Sequence, residues 1–176
     1  MKLGTKTKKN LEEAFSGESM ARNKYFYFAS VARKSGLIQL ANIFLETAEN
    51  EKEHAKLWAK QLGLIGGNKE NLGAAIAGEH YENSEMYVRM AREAEAEGHT
   101  EIAESFMKVA RAELAHEIRY KKLLANLEQN KMYKREAAVK WKCSNCGYIH
   151  ESAEAPEKCP ACKHPKGYFE IFCEPY

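Results

Sequence analysis

The sequence lacks any long apolar run. No stretch approaches the roughly 18 consecutive apolar residues typical of a membrane-spanning helix. The N-terminal segment is polar and rich in lysine, without the apolar core of a secretory signal. We therefore expect a cytoplasmic protein with no membrane partner.

An excess of charge of one sign is also missing. The 176 residues include 27 Lys and Arg against 25 Asp and Glu, which gives a formal net charge of +2. So close a balance argues against nucleic acid and against an anionic membrane surface as partners. The length allows one hydrophobic core and a small appendix.

Cysteine and proline are scarce, and both are concentrated near the C-terminus. The chain has only 5 Cys and 4 Pro. Four of the cysteines form two C-x-x-C pairs, and three of the prolines lie close to them. In a reducing cytosol, such pairs indicate a metal site rather than disulfides.

From about residue 6 to residue 130 the sequence is rich in Ala, Leu, Glu and Lys and has helical periodicity. Glycine-containing breaks at 34–36, 63–68 and 97–100 divide it into four long helices. Four long helices with short connections pack as an antiparallel bundle. A basic connector at 131–140 then leads to a different composition. We predict a mainly helical protein with a ferritin-like four-helix bundle in 1–137 and a small four-cysteine domain in 138–176.

The apolar stripe of each predicted helix contains ionisable side chains. Helical spacing places them in register with apolar residues such as Phe44 and Phe106. Burying one unpaired carboxylate costs several kcal/mol, so a dense cluster requires cations. The residues concerned are Glu18, Glu51, His54, Glu79, Glu82, Glu113 and His116.

The spacing of these residues suits metal coordination. Residues i and i+3 of a helix lie on one face, so each of Glu51-x-x-His54 and Glu113-x-x-His116 can bring a carboxylate and an imidazole to one ion. Glutamate from two helices with Glu-x-x-His from the other two is the pattern of di-iron or di-manganese bundles. A single Glu-x-x-His is common on a solvated face, but two on apolar stripes favour metal. Glu53 and Glu117 lie off the stripes, and we expect them on the solvated face.

The C-terminal segment contains two cysteine knuckles, Cys143-x-x-Cys146 and Cys159-x-x-Cys162. Two such turns complete a tetrahedral S4 site, for which the ligands alone leave zinc and iron open. For the fifth cysteine, Cys173, the alternatives are a side chain packed near the C-terminus and an exposed thiol, and we expect the first. Aromatic residues crowd the motif and predict a small apolar shell around the sulfurs: Trp141, Tyr148, Tyr168, Phe169 and Phe172.

These motifs resemble the rubrerythrin family over nearly the whole chain. The resemblance lies in Gly-Glu18-Ser-Met-Ala-Arg, Glu51-Lys-Glu-His54, Gly-Glu79-His-Tyr-Glu82 and Glu113-Leu-Ala-His116-Glu, in that order. The segment from Trp141 onwards is similar to the family's rubredoxin-like domain, which favours iron in the S4 site. The resemblance thus implies three iron ions per chain, two in a di-iron centre and one on the cysteines.

The resemblance also implies a function. Members of this family defend anaerobic microbes against oxidative stress by reducing hydrogen peroxide to water at the di-iron centre. Electrons enter through the rubredoxin-type iron, from rubredoxin or an NAD(P)H-dependent reductase. A head-to-tail homodimer is expected, in which one subunit's tail faces another's bundle.

Residue roles follow from the same resemblance. Glu51 and Glu113 would bridge the irons, Glu18 would bind one iron, and Glu79 and His116 would bind the other. His54 and Glu82 would exchange on the first iron during catalysis. Tyr25 and Tyr87 match tyrosines that hydrogen-bond around the centre. Two alternatives stay open: a ferritin-like ferroxidase that stores iron, and a tail that is a structural zinc ribbon.

Overall fold

The computed structural model describes residues 4–174. The chain divides into two compact units, one ending at Asn71 and the other beginning at Leu72. The helices and strands are α1 (Thr5–Lys34), α2 (Ile38–Gln61), α3 (Asn68–Tyr81), a π-helical segment (Glu82–Met86), α4 (Tyr87–Ala96), α5 (Thr100–Glu128), β1 (Lys134–Cys143), β2 (Ile149–Glu154), a short 3-10 turn (Lys166–Tyr168) and β3 (Phe169–Ile171).

The predicted fold class is confirmed, since the chain is mainly helical and a small C-terminal strand region carries the cysteines. The third predicted helix is interrupted, because α3 continues through the π segment into α4. The predicted breaks are also found. Gly36, Gly63 and Gly98 follow helix ends with φ of 75°, 70° and 83°, a left-handed conformation that favours glycine.

In the first unit, the buried side chains of α1 and α2 are all alanines. Ala41 and Ala48 are fully buried, whereas Phe28 and Leu40 from the predicted apolar stripes are 45% and 42% exposed. Small side chains let two helix backbones approach closely and leave larger side chains at the edges of the contact. The buried alanines of this pair are Ala29, Ala32, Ala41, Ala48, Ala55 and Ala59.

In the second unit, α4 and α5 pack in the same manner. Ala91, Ala94 and Ala103 form a buried cluster against Phe106. The π segment also contacts α5.

The strands form a three-stranded antiparallel sheet in the order β2-β1-β3. Trp141 lies at its centre, opposite His150 on one side and Ile171 on the other. The predicted aromatic shell forms in part, because Trp141 and Phe169 are buried whereas Tyr148 and Tyr168 are exposed.

The prediction of a connector at 131–140 is wrong for most of its length. β1 already begins at Lys134, which pairs with Glu154. The predicted domain boundary after residue 137 falls inside this strand. The partner strand lies more than a dozen residues further on, so local composition gave no sign of the pairing.

Within residues 4–174, the helices are all too short or too polar to cross a membrane.

Candidate metal centres

One metal-ligating group lies on the α1–α2 pair. Glu18 comes from α1, and Glu51 and His54 come from α2. Nδ1 of His54 lies 2.8 Å from Oε2 of Glu51 and 3.9 Å from Oε1 of Glu18. The hydrogen bond with Glu51, and then burial, raise the pKa of Glu18. Two neighbouring carboxylates repel each other when both are ionised, so the group is suited to a positive ion.

A second group of the same composition lies in the other unit. Glu79 comes from α3, and Glu113 and His116 come from α5. Nδ1 of His116 lies 2.8 Å from Oε2 of Glu113 and 3.6 Å from Oε2 of Glu79. Burial, and then the hydrogen bond with Glu113, raise the pKa of Glu79. In both groups, therefore, burial and a neighbouring glutamate raise the pKa of one carboxyl.

Each group fits one transition-metal ion. Within each, one donor atom from every residue lies within 4.8 Å of the others. Metal–ligand bonds of about 2.0–2.2 Å place adjacent ligands about 3 Å apart, which these side chains reach with small rotations. A donor set of carboxylate oxygen and imidazole nitrogen suits iron or manganese.

Glu82 lies outside these two groups, on the π segment. Burial raises the pKa of Tyr87, and the charges of Glu82 and Glu113 raise it further. The Tyr87 ring packs 5.9 Å from the ring of Phe106. The other predicted tyrosine, Tyr25, has its ring 6.2 Å from the ring of Phe44. Each tyrosine thus packs beside a phenylalanine of the neighbouring helix.

The expectation that Glu117 is solvated is wrong. It is 3% exposed, the one buried charged side chain among residues 4–174. Its carboxylate accepts hydrogen bonds from Lys121 and Asn83, at 2.5 and 2.7 Å. These bonds lower the pKa of Glu117 to about 2. Lys121, four residues further along α5, was a readable signal, whereas Asn83 is 34 residues away in sequence.

Glu53, for which the same expectation was made, is exposed and paired with Lys56. That contact lies between two side chains three residues apart on the surface of α2.

The four paired cysteines meet in the small sheet domain. Sγ of Cys143 lies 3.7 Å from Sγ of Cys162, and Sγ of Cys146 lies 3.6 Å from Sγ of Cys159. A tetrahedral ion with metal–sulfur bonds of about 2.3 Å has sulfurs about 3.8 Å apart, so the cysteines already have the required spacing.

Backbone geometry prepares both knuckles for a metal ion. Gly147 and Lys163, each directly after the second cysteine of a pair, have φ of 78° and 64°. The backbone N–H of His164 lowers the pKa of Cys162 to about 5. A thiolate is the form that binds metal. Cys143 and Cys159 are buried, whereas Cys146 is exposed.

The prediction that Cys173 packs quietly is wrong, since its thiol is exposed. The amide of Phe172 still donates to the carbonyl of Lys140, and Cys173 lies past this contact.

Together the helices and donor groups define a carboxylate–histidine metalloprotein with an attached four-cysteine domain. The family described as rubrerythrin matches residues 9–124, and the rubrerythrin rubredoxin-like domain matches residues 141–170. The chain belongs to the rubrerythrin family.

Similar proteins match along almost their full length. Rubrerythrin of Clostridium perfringens is 50% identical, and the match covers 98% of this chain and 97% of that protein. Rubrerythrin of Nitratidesulfovibrio vulgaris is 46% identical over 96% and 95%. Among solved structures, partially reduced nigerythrin is 31% identical and aligns over 98% of this chain and 88% of its own, with a TM-score of 0.37.

The predicted cofactors are confirmed in that the chain has donor groups for all of the predicted irons. Each of the two Glu/His groups has the donor atoms of an iron–carboxylate site, and the four cysteines have those of a rubredoxin-like site. These sites correspond to three irons per chain.

Proposed function

We propose that this protein is a hydrogen peroxide reductase. The reaction consumes two electrons and two protons and converts one hydrogen peroxide into two waters. The observation that carries the proposal is that one chain combines two oxygen- and nitrogen-donor groups with a separate S4 group. The first kind of site suits substrate reduction, and the second kind suits electron supply.

The proposed iron ligands are the six residues of the two groups together with Glu82. Glu18, Glu51 and His54 would hold one iron, and Glu79, Glu113 and His116 the other, with Glu51 and Glu113 as bridges. Glu82 and His54 would exchange on the first iron. When bound, the irons supply the electrons that break the O–O bond.

Tyr87 has the properties of a hydrogen-bond donor at this centre. A tyrosine phenol is protonated at neutral pH, and burial raises the pKa of Tyr87 further, so its hydroxyl can donate to a bound oxygen species or to a ligand carboxylate. We propose the same role for Tyr25. The Tyr87 ring packs against the ring of Phe106, so substitution by Phe would remove the donor while keeping this contact.

The four-cysteine site would receive the electrons. Cys146 is exposed, so a soluble donor can approach one sulfur directly. We propose rubredoxin or an NAD(P)H-dependent reductase as this donor, in the cytoplasm of an anaerobe. A head-to-tail homodimer would let each tail serve the neighbouring subunit's bundle.

Anaerobic stopped-flow absorption of the reduced protein tests the proposal. Oxidation of the iron by hydrogen peroxide should be much faster than oxidation by dioxygen at equal concentration. Slow oxidation by peroxide, without preference over dioxygen, would contradict it. The Tyr87→Phe variant should retain the preference but react more slowly.

A ferritin-like ferroxidase is the competing function. It predicts a hollow cage with many irons per chain, and size measurement with an iron count separates the two. An S4 group with a sulfur ligand at the surface supports peroxide reduction instead, because storage needs no electron delivery through the tail. A colourless tail holding one zinc would support the structural zinc ribbon and contradict electron entry there.

A further inference from the structure

Glu117 is the centre of a small polar network within the second unit. Besides the hydrogen bonds from Asn83 and Lys121, its Oε1 lies 3.2 Å from Nδ1 of His80. The three partners come from three different segments: His80 from α3, Asn83 from the π segment and Lys121 from α5. Burying a charged carboxylate costs free energy, and buried carboxylates are therefore found with hydrogen-bond partners such as these.

Asn83 connects this network to the metal-ligating part of the chain. Its Nδ2 group donates to the carboxylate of Glu117 at 2.7 Å and to the main-chain carbonyl of Glu79 at 2.6 Å. Glu79 is a member of the second Glu/His group, and Glu82 directly precedes Asn83. The side-chain amide of Asn83 therefore holds the backbone near Glu79 and Glu82, two proposed ligands, against α5.

The hydrogen-bond pattern of the π segment affects the direction of the side chains beside Asn83. The amide of Tyr87 donates to the carbonyl of Glu82, five residues back, instead of four. A π turn contains one extra residue, and moving that residue along the helix would turn the side chains that it passes by about 100°. The position of the extra residue thus decides whether Glu82 and Tyr87 point toward Glu113 or away from it.

We propose that Glu117, acting through its hydrogen bond with Asn83, is a positioning residue that fixes the π segment against α5 and so sets the direction of Glu79 and Glu82 toward Glu113 and His116. This inference rests on the proposed function, because it assigns a role to residues that surround the same iron centre. The role concerns metal binding and can be measured without peroxide.

Three variants test the assignment in the full-length protein. Asn83→Ala removes the donor that connects the π segment to Glu117. Lys121→Met removes a different donor from the same carboxylate and leaves the Asn83 contact in place. Glu117→Leu removes the acceptor on α5 while Asn83 keeps its bond to the carbonyl of Glu79. Ser84→Ala is the control within the π segment, since Ser84 donates to the carbonyl of His80, four residues back, and thus makes a local bond.

The first readout is ferrous-ion affinity of the Glu/His groups, with the S4 iron as an internal standard. Asn83→Ala and Glu117→Leu should each weaken binding by about tenfold, the usual effect of losing a partner that orients a ligand. Lys121→Met and Ser84→Ala should fall clearly short of that loss. The second readout is hydrogen exchange of residues 79–87 in the metal-free protein, which should accelerate in Asn83→Ala and Glu117→Leu and stay unchanged in the other two variants.

Equal losses of affinity in Asn83→Ala and Lys121→Met would overturn the proposal, because Glu117 would then act only on general stability. Unchanged affinity and exchange in Asn83→Ala would overturn it as well. Failure of the proposed function would show differently, as an unsubstituted protein that has no preference for peroxide whatever the order of affinities.

Discussion

Nδ1 of His116 and Oε2 of Glu113 lie 2.8 Å apart, and the corresponding atoms of His54 and Glu51 are separated by the same distance. Both pairs are spaced i and i+3 on one helix, so the helix itself brings the two donors together. Each pair thus brings two donors together before the third proposed ligand, Glu79 or Glu18, is considered. Such arrangement reduces the conformational change that binding requires.

Replacement of one of these carboxylates should remove iron from the bundle and spare the tail. In Glu113→Ala we expect iron to fall by at least one ion per chain, with the absorption of the S4 iron unchanged. Metal analysis combined with absorption spectroscopy measures both. Glu104→Ala is the matched control, because Glu104 is exposed on the same helix and pairs with Lys108. Equal iron in the two variants would contradict the ligand assignment.

Loss of a tail cysteine should separate electron supply from peroxide chemistry. Cys159 is fully buried among the four sulfurs, so Cys159→Ser should lose the S4 iron and nearly all steady-state peroxide turnover with an external donor. Oxidation of the chemically reduced bundle in a single turnover should persist. Cys173→Ser should behave like the unsubstituted protein, since that thiol is exposed and outside the four-cysteine group. Normal steady-state turnover in Cys159→Ser would exclude electron entry through the tail.

The two knuckles differ at the residue with positive φ. Lys163 adopts φ of 64°, which costs a residue with a side chain about 1–2 kcal/mol relative to right-handed backbone. Lys163→Gly should therefore stabilise the small domain, by about 0.5–1 kcal/mol after the greater flexibility of glycine in the unfolded chain is included. Gly147→Ala should have the opposite effect, because Gly147 has φ of 78°. Guanidinium titration of the S4 absorption checks both, and a stabilising Gly147→Ala would refute the argument.

The stability of the small domain should depend on pH through Lys166. Its ammonium group bonds Glu154 at 2.8 Å and also bonds Glu157. Hydrogen bonding to Lys166 lowers the pKa of Glu154, and hydrogen bonding to Glu154 raises the pKa of Lys166. The stabilisation from Glu154 is present above pH 4.5 and is lost as pH falls through its lowered folded value. The stabilisation from Lys166 is present below pH 10.5 and is lost as pH rises through its raised folded value.

Lys166→Met should accordingly lower the melting temperature by about one to a few degrees at neutral pH. The difference from the unsubstituted protein should shrink once Glu154 is protonated, which thermal unfolding across the acidic range will show. Lys142→Met is the control, because its contact with Glu170 is longer, at 3.5 Å, and more exposed. A difference that is constant with pH would rule out this linkage.

Much of this architecture follows from local sequence. Gly36, Gly63 and Gly98 mark helix ends because the left-handed backbone that closes a helix favours glycine. The two Glu-x-x-His pairs and the two C-x-x-C pairs were readable because a single helix or turn determines their geometry. In each case the information lies within a few residues.

The features that escaped prediction depend on partners distant in sequence. Glu117 was expected on the surface, and its hydrogen bond from Asn83 joins residues 34 positions apart in sequence. The π segment gave no sequence signal, since the contact that accompanies it spans two helices. The start of β1 at Lys134 depends in the same way on pairing with Glu154.

The alanine contact between α1 and α2 has a further consequence for tolerance to substitution. Glu18 stands on one of these helices, and Glu51 and His54 on the other, so the separation of the helix axes also sets the width of this metal-ligating group. Ala41 and Ala48 have no exposed surface, and a larger side chain at either position must widen the gap. Residues outside the proposed ligand set therefore help to fix the distance between its α1 and α2 donors.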